Sequence, residues 1–171
     1  VESDSSEVVS SPWALAADPA MGLMYGADFG GFRGVNVIDM ATGAVSNVEL
    51  NSGDHTTTEE VSGVVMKDGC IWAAYSGIQQ AYDPDFRNRL YCIDRQTRTI
   101  TSHTDAVTST EMATMWLVAH PDPAVHRLYA FNVAISGWNV GLNCELNLCQ
   151  VVYLPGTRGT VTEIDSQTGA I

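Results

Sequence analysis

Between Trp13 and Leu50 short apolar runs alternate with small clusters of turn residues. The order is WALAA, Asp18-Pro19-Ala20, LMYGA, VNVI, then Asp39 with Thr42-Gly43, and a last alternating run up to Leu50. Runs of this length bounded by Gly, Pro, Asp or Asn predict β-strands joined by tight turns. Glycine takes a positive φ without steric cost, so Thr42-Gly43 and Lys67-Asp68-Gly69 read as hairpin punctuation. No long window has an apolar period of 3.6 residues, and the chain reads as all-β.

The same order returns twice. A second copy runs from about Val61 to Val107, with SGVVMKDG, CIWAAYSG, RLYCIDRQTR and TITSHTDAV in the strand slots. A third starts near Met115 with WLVAHPDPAVH and RLYAFNVAI, and resumes after an insertion with GTVTEIDSQTGAI. Tyr25 corresponds to Trp72 and Tyr129, and the Asp18-Pro19-Ala20 triplet returns as Asp122-Pro123-Ala124. The firmest anchors are Ile38-Asp39, Ile93-Asp94 and Ile164-Asp165, whose aspartates lie 55 and then 71 residues apart. A four-stranded propeller blade takes roughly 40–50 residues, which fits once the loops after each second strand are discounted. The expected fold is about three four-stranded antiparallel blades per chain, near 12–50, 61–107 and 115–171, in one domain. Residues 1–11 are a polar tail or, from Glu7 on, a closing strand.

The series of strand, Asp-Pro-Ala, Leu-Tyr-Ala, Ile-Asp and Thr-Gly-Ala resembles the repeats of the YVTN and quinoprotein-like β-propeller families, from about Trp13 to Ile171. The resemblance implies the fold and no single activity, because propellers host many unrelated functions. The chain departs from quinoprotein alcohol dehydrogenases in lacking an adjacent Cys-Cys pair and a regular Trp docking motif. Closed rings typically hold about four to eight blades, so the missing blades, and the last strand of the third, are expected from another copy, another propeller chain, or a longer protein of which this is one part.

A net charge of −12 and a pI near 4.4 argue against nucleic acid and anionic membranes as partners. No run of 18 apolar residues is present, hence no membrane-spanning helix is expected. The start at Val1 without a signal pattern fits a processed product. The four cysteines fit two disulfides, Cys70 with Cys92 on neighbouring strands and Cys144 with Cys149 across a short loop, the alternative being four buried free thiols. Two disulfides place the protein outside the reducing cytosol, secreted to the extracellular space or the periplasm.

The loops between second and third strands lengthen along the chain, from Asp28–Gly34 through Gly77–Arg89 to Ile135–Gly159. Loops on one rim carry binding in a rigid scaffold. Asp28, Phe29, Arg33, Tyr82, Trp138 and Asn139 supply aromatic faces and polar groups there, a pattern suited to a carbohydrate or protein ligand. Asp83-Pro84-Asp85-Phe86-Arg87-Asn88 reads first as a turn. As a metal site, Asp83 and Asp85 would suit calcium. Trp13, Trp72 and Trp116 fall on strand positions expected in the blade core, and Asp39, Asp94 and Asp165 serve the repeating turn. His55, His103, His120 and His126 show no convergence, and no GxSxG, HExxH, P-loop or GxGxxG motif occurs. No cofactor is expected. The reading is a non-enzymatic binding or assembly module. Its rivals are part of a quinoprotein-like propeller oxidoreductase and a subunit of an extracellular filament or surface layer.

Overall fold

The computed structural model describes residues 12–28, 34–50, 60–76, 89–105, 112–134, 143–145, 148–150 and 159–171. The first sheet is β1 (Pro12–Asp18), β2 (Leu23–Asp28), β3 (Gly34–Asp39) and β4 (Val45–Glu49). The second is β5 (Glu60–Lys67), β6 (Cys70–Ser76), β7 (Arg89–Asp94) and β8 (Ile100–Asp105). In the third, β9 (Met112–Ala119) and β10 (Arg127–Ala134) precede a small hairpin of β11 (Asn143–Glu145) and β12 (Leu148–Gln150), and the sheet is completed by β13 (Gly159–Asp165). Each main sheet is an antiparallel meander, in the orders β1-β2-β3-β4, β5-β6-β7-β8 and β9-β10-β13. The chain is all-β and forms partial propeller blades.

Register shows why the repeat reads as it does. Leu23 pairs with Asp39, Cys70 with Asp94 and Arg127 with Asp165, so the three anchors occupy one slot. In each, the carboxylate folds back on the turn. Asp94 Oδ1 accepts from the N–H of Gln96 at 2.9 Å and of Thr97 at 2.7 Å, and from the Thr97 hydroxyl at 2.9 Å. Asp39 accepts from the N–H of Ala41 and Thr42, and Asp165 from Gln167, Thr168 and the Thr168 hydroxyl. The turn then needs a left-handed residue, supplied by Gly43 (φ 74°), Arg98 (φ 58°) and Gly169 (φ 73°). These carboxylates are structural.

Strand alternation sends the two faces of each sheet to different neighbours. Leu23, Tyr25, Ala27, Val35 and Val37 of the first blade pack with Ile71, Ala73, Tyr75, Tyr91 and Ile93 of the second. The opposite face of the second blade presents Trp72, Ala74, Leu90 and Cys92 to Leu117, Leu128, Ala130 and Ile164 of the third. The second blade is thus buried on both faces, which is why β6 reads CIWAAY with almost no polar interruption. Each large buried side chain contributes roughly 1.5–3 kcal/mol by leaving water, so these two junctions hold the array together. A Cys70–Cys92 disulfide, with Cα atoms 5.4 Å apart, staples β6 to β7 diagonally, as the strand assignment expects. Cys144 and Cys149 stand opposite one another in the β11–β12 register. Their side chains lie outside the described residues.

Candidate functional site

The three long loops leave from the ends of β2, β6 and β10, the same end of each sheet. Asp28 closes β2 at that rim, opposite Pro12. Its side chain, and all of Phe29, Arg33, Tyr82, Asp83, Asp85, Arg87, Trp138 and Asn139, lie outside the described residues. Among the described residues no group of three or more His, Cys, Asp or Glu is placed to hold a metal ion. No described helix is long and apolar enough to cross a membrane.

At the opposite rim, polar side chains join blade to blade. Asp18, the last residue of β1, is buried and takes a bidentate pair from Arg95 in the β7–β8 turn of the next blade, with Nη2–Oδ1 at 2.5 Å. Arg95 therefore holds the Asp18 carboxyl below the ordinary carboxylate range, against the burial that would raise it. One blade further on, Asp68 meets His126 Nδ1 at 2.8 Å and accepts the Ser166 hydroxyl. Lys67 Nζ donates to the carbonyls of His120 (3.2 Å) and Asp122 (2.7 Å). Arg95 and Ser166 each directly follow their anchor aspartate, so one repeat position reaches back to the preceding blade's turn.

The Asp68, His126 and Ser166 set is not a hydrolytic triad. One carboxylate bridges both partners, and Ser166 is buried under the junction. It is a staple. Further out, the Thr104 hydroxyl donates to the Gly169 carbonyl at 2.8 Å. Near the loop rim the Ser62 hydroxyl donates to the Thr114 carbonyl at 2.6 Å.

The outer faces of the array are different. Tyr25 and Trp72 are 0% and 2% exposed, whereas Tyr129, in the same slot of the third blade, is half-buried. Around it Trp116 is 50%, Phe131 39% and Val161 56% exposed, with Val118 beside them. The expectation that Trp116 belongs to the blade core is corrected here: it sits in strand register but on the face no described blade covers. Arg127 sits at the edge of this face, paired with Glu163 and Asp165 at 2.7 Å each. At the other end of the array the first blade exposes Leu15, whose equivalents Val64 and Leu117 are buried.

The architecture defines a class, an arc of a β-propeller. Quinohemoprotein alcohol dehydrogenase from Pseudomonas putida HK5 is similar over 87% of this chain and 24% of its own, at 13% identity and a TM-score of 0.57. The Comamonas testosteroni quinohemoprotein alcohol dehydrogenase matches over 87% and 25%, at 14% identity and a TM-score of 0.54. A europium-containing methanol dehydrogenase matches over 87% and 29%, at 14% identity and a TM-score of 0.56. At such identities the likeness establishes the fold alone. The chain spans about a quarter of the length of these structures. No family model matches the chain, and no curated protein matches it in sequence. The propeller fold implied by the motifs is therefore supported by these structures, whereas no family model supports the YVTN assignment.

Proposed function

We propose that this chain is a non-enzymatic propeller module for binding or assembly outside the cytosol, whose end faces are covered by further blades. The observation that carries the reading is the third blade's face. At slots buried or partly buried in both other blades it exposes Trp116, Phe131 and Val161, an apolar patch of the kind that marks interaction surfaces. The Cys70–Cys92 disulfide fits maturation in an oxidising compartment, extracellular or periplasmic. The long-loop rim, with Asp28 at its margin, is where a carbohydrate or protein ligand would be held, with Asp83 and Asp85 the residues for any calcium ion.

A second reading, a segment of a propeller oxidoreductase, draws on the dehydrogenases that share the fold. Absorption spectroscopy of the purified protein separates the two. A module of the first kind shows only the protein band near 280 nm, roughly as its Trp and Tyr content dictates. Bands at longer wavelength, from a quinone, haem or copper centre, would overturn it in favour of the second.

A further inference from the structure

We infer that Cys70 is a site of S-thiolation: a small-molecule thiolate attacks its sulfur through a cleft at the turn rim, and Cys92 is the sulfur that leaves. The inference adds a reactive site to the module and does not depend on what covers its faces.

The two sulfurs of the Cys70–Cys92 bridge sit in different surroundings. Cys92 is 4% exposed and belongs to the apolar cluster that Trp72, Leu117, Leu128 and Ile164 form between the second and third blades. Cys70, the first residue of β6, packs at the margin of that cluster and is partly exposed. It borders a cleft of about 340 Å³, where the β5–β6 turn faces Arg95 and the turn from His120 to Pro123. A disulfide opens by attack of a thiolate on one of its sulfurs, so access decides which sulfur is attacked.

Charge and hydrogen bonding favour the same direction. Lys67 is the cross-strand partner of Cys70, so the two side chains leave the same face of the hairpin. The carbonyls of His120 at 3.2 Å and Asp122 at 2.7 Å hold the Lys67 ammonium beside the cleft and leave its charge in place. The carboxylate that lines the cleft, Asp68, is engaged by His126 and Ser166, and Arg95 is paired with Asp18. An incoming thiolate therefore meets a fixed cation in a chain whose net charge is −12. On the leaving side, the Thr101 hydroxyl lies 3.0 Å from Cys92 Sγ. It is placed to donate to the departing thiolate, and a hydrogen bond to the charged form makes that sulfur the better leaving group.

In the first step the external sulfur bonds to Cys70 Sγ. The electron pair of the Cys70–Cys92 bond passes to Cys92 Sγ, which then takes a proton from water. A second thiolate attacks the external sulfur of this mixed disulfide and releases Cys70 as a thiolate. Two thiols are oxidised to one disulfide, and the protein bridge is reduced.

The test is brief exposure of the folded protein to glutathione, then alkylation with N-ethylmaleimide and mass mapping of the Cys70 and Cys92 peptides. Glutathione should be found on Cys70 and the alkyl label on Cys92. Rates per thiolate should favour the anionic 2-mercaptoethanesulfonate over the cationic cysteamine several-fold, and Lys67→Met should reduce that ratio. Adducts on Cys92, or on both cysteines equally, would overturn the inference. A bridge that exchanges only in denaturant would overturn it as well. A ratio unchanged in Lys67→Met, with a wild-type circular dichroism spectrum, would overturn the part given to Lys67.

Discussion

Gly63→Ala probes the closest approach between blades. Gly63 lies on β5, and a Cβ placed there would stand 2.9 Å from the Leu117 backbone N and 3.1 Å from Leu117 Cβ, both on β9. Ordinary contacts of this kind begin near 3.4 Å, so the third blade's inner strand would have to retreat by about half an ångström along a tightly packed seam. Two effects of opposite sign compete. Alanine at a compatible backbone position restricts the unfolded chain and stabilises by about 0.4–1 kcal/mol. Overpacking a filled interior costs about 1–3 kcal/mol. Because the obstacle is backbone, which cannot rotate away, overpacking should win, with a net loss of about 1–2 kcal/mol. For a chain of 171 residues each kcal/mol moves Tm by roughly 2–4 °C. Thermal unfolding followed by circular dichroism should show Tm falling by about 2–8 °C. An unchanged or raised Tm would refute the close stacking of β5 on β9.

Three more outcomes follow from the same contacts. Cys70→Ser with Cys92→Ser should destabilise by about 3 kcal/mol, the chain-entropy value for a closed loop of 22 residues, read from urea midpoints. Gly43→Ala and Gly169→Ala both force alanine into left-handed backbone at about 1–2 kcal/mol, but only at Gly169 would the new Cβ stand 2.6 Å from Thr104 Oγ1, so it should lose distinctly more; equal losses would contradict the Thr104–Gly169 contact between blades. The Asp18 carboxyl, held below its ordinary value by Arg95, lends stability that is present above the normal carboxylate range and lost as pH falls through its folded value; in Arg95→Ala, which leaves the Met21 N–H at 3.1 Å as its donor against burial, that pH-dependent stability should be largely lost, as a Tm series from pH 3 to 8 would show, and an unchanged pH profile would contradict the pairing.

Local chemistry was the legible part of the sequence. The Asp39, Asp94 and Asp165 turns were readable because each is closed by groups within five residues of its aspartate, and the Cys70–Cys92 pair because adjacent strands of one meander must lie side by side. Contacts between blades were not. Nothing local marks Arg95 as the partner of Asp18, 77 residues away, or Ser166 as that of Asp68. Trp116 was misplaced for the same reason. Alternation assigns a side chain to a face of its own sheet, but whether that face is covered depends on the next blade. The shift from Ala14 and Gly63 to Trp116 in one slot was the available signal, since a repeat that changes size at a buried slot changes its neighbour. Beyond Asp28 at the end of β2, the rim candidates as far as Asn139 lie outside the described residues, and alternation places no constraint on their chemistry.

The most direct test of the module reading is whether the third blade's apolar face, with Trp116, Phe131 and Val161 exposed, draws chains together in solution. Light scattering across a hundredfold range of concentration should give masses that rise above the 18.4 kDa of one chain, and Trp116→Glu should lower them. A wild-type mass that stays at one chain throughout would contradict the reading of that face as an interaction surface.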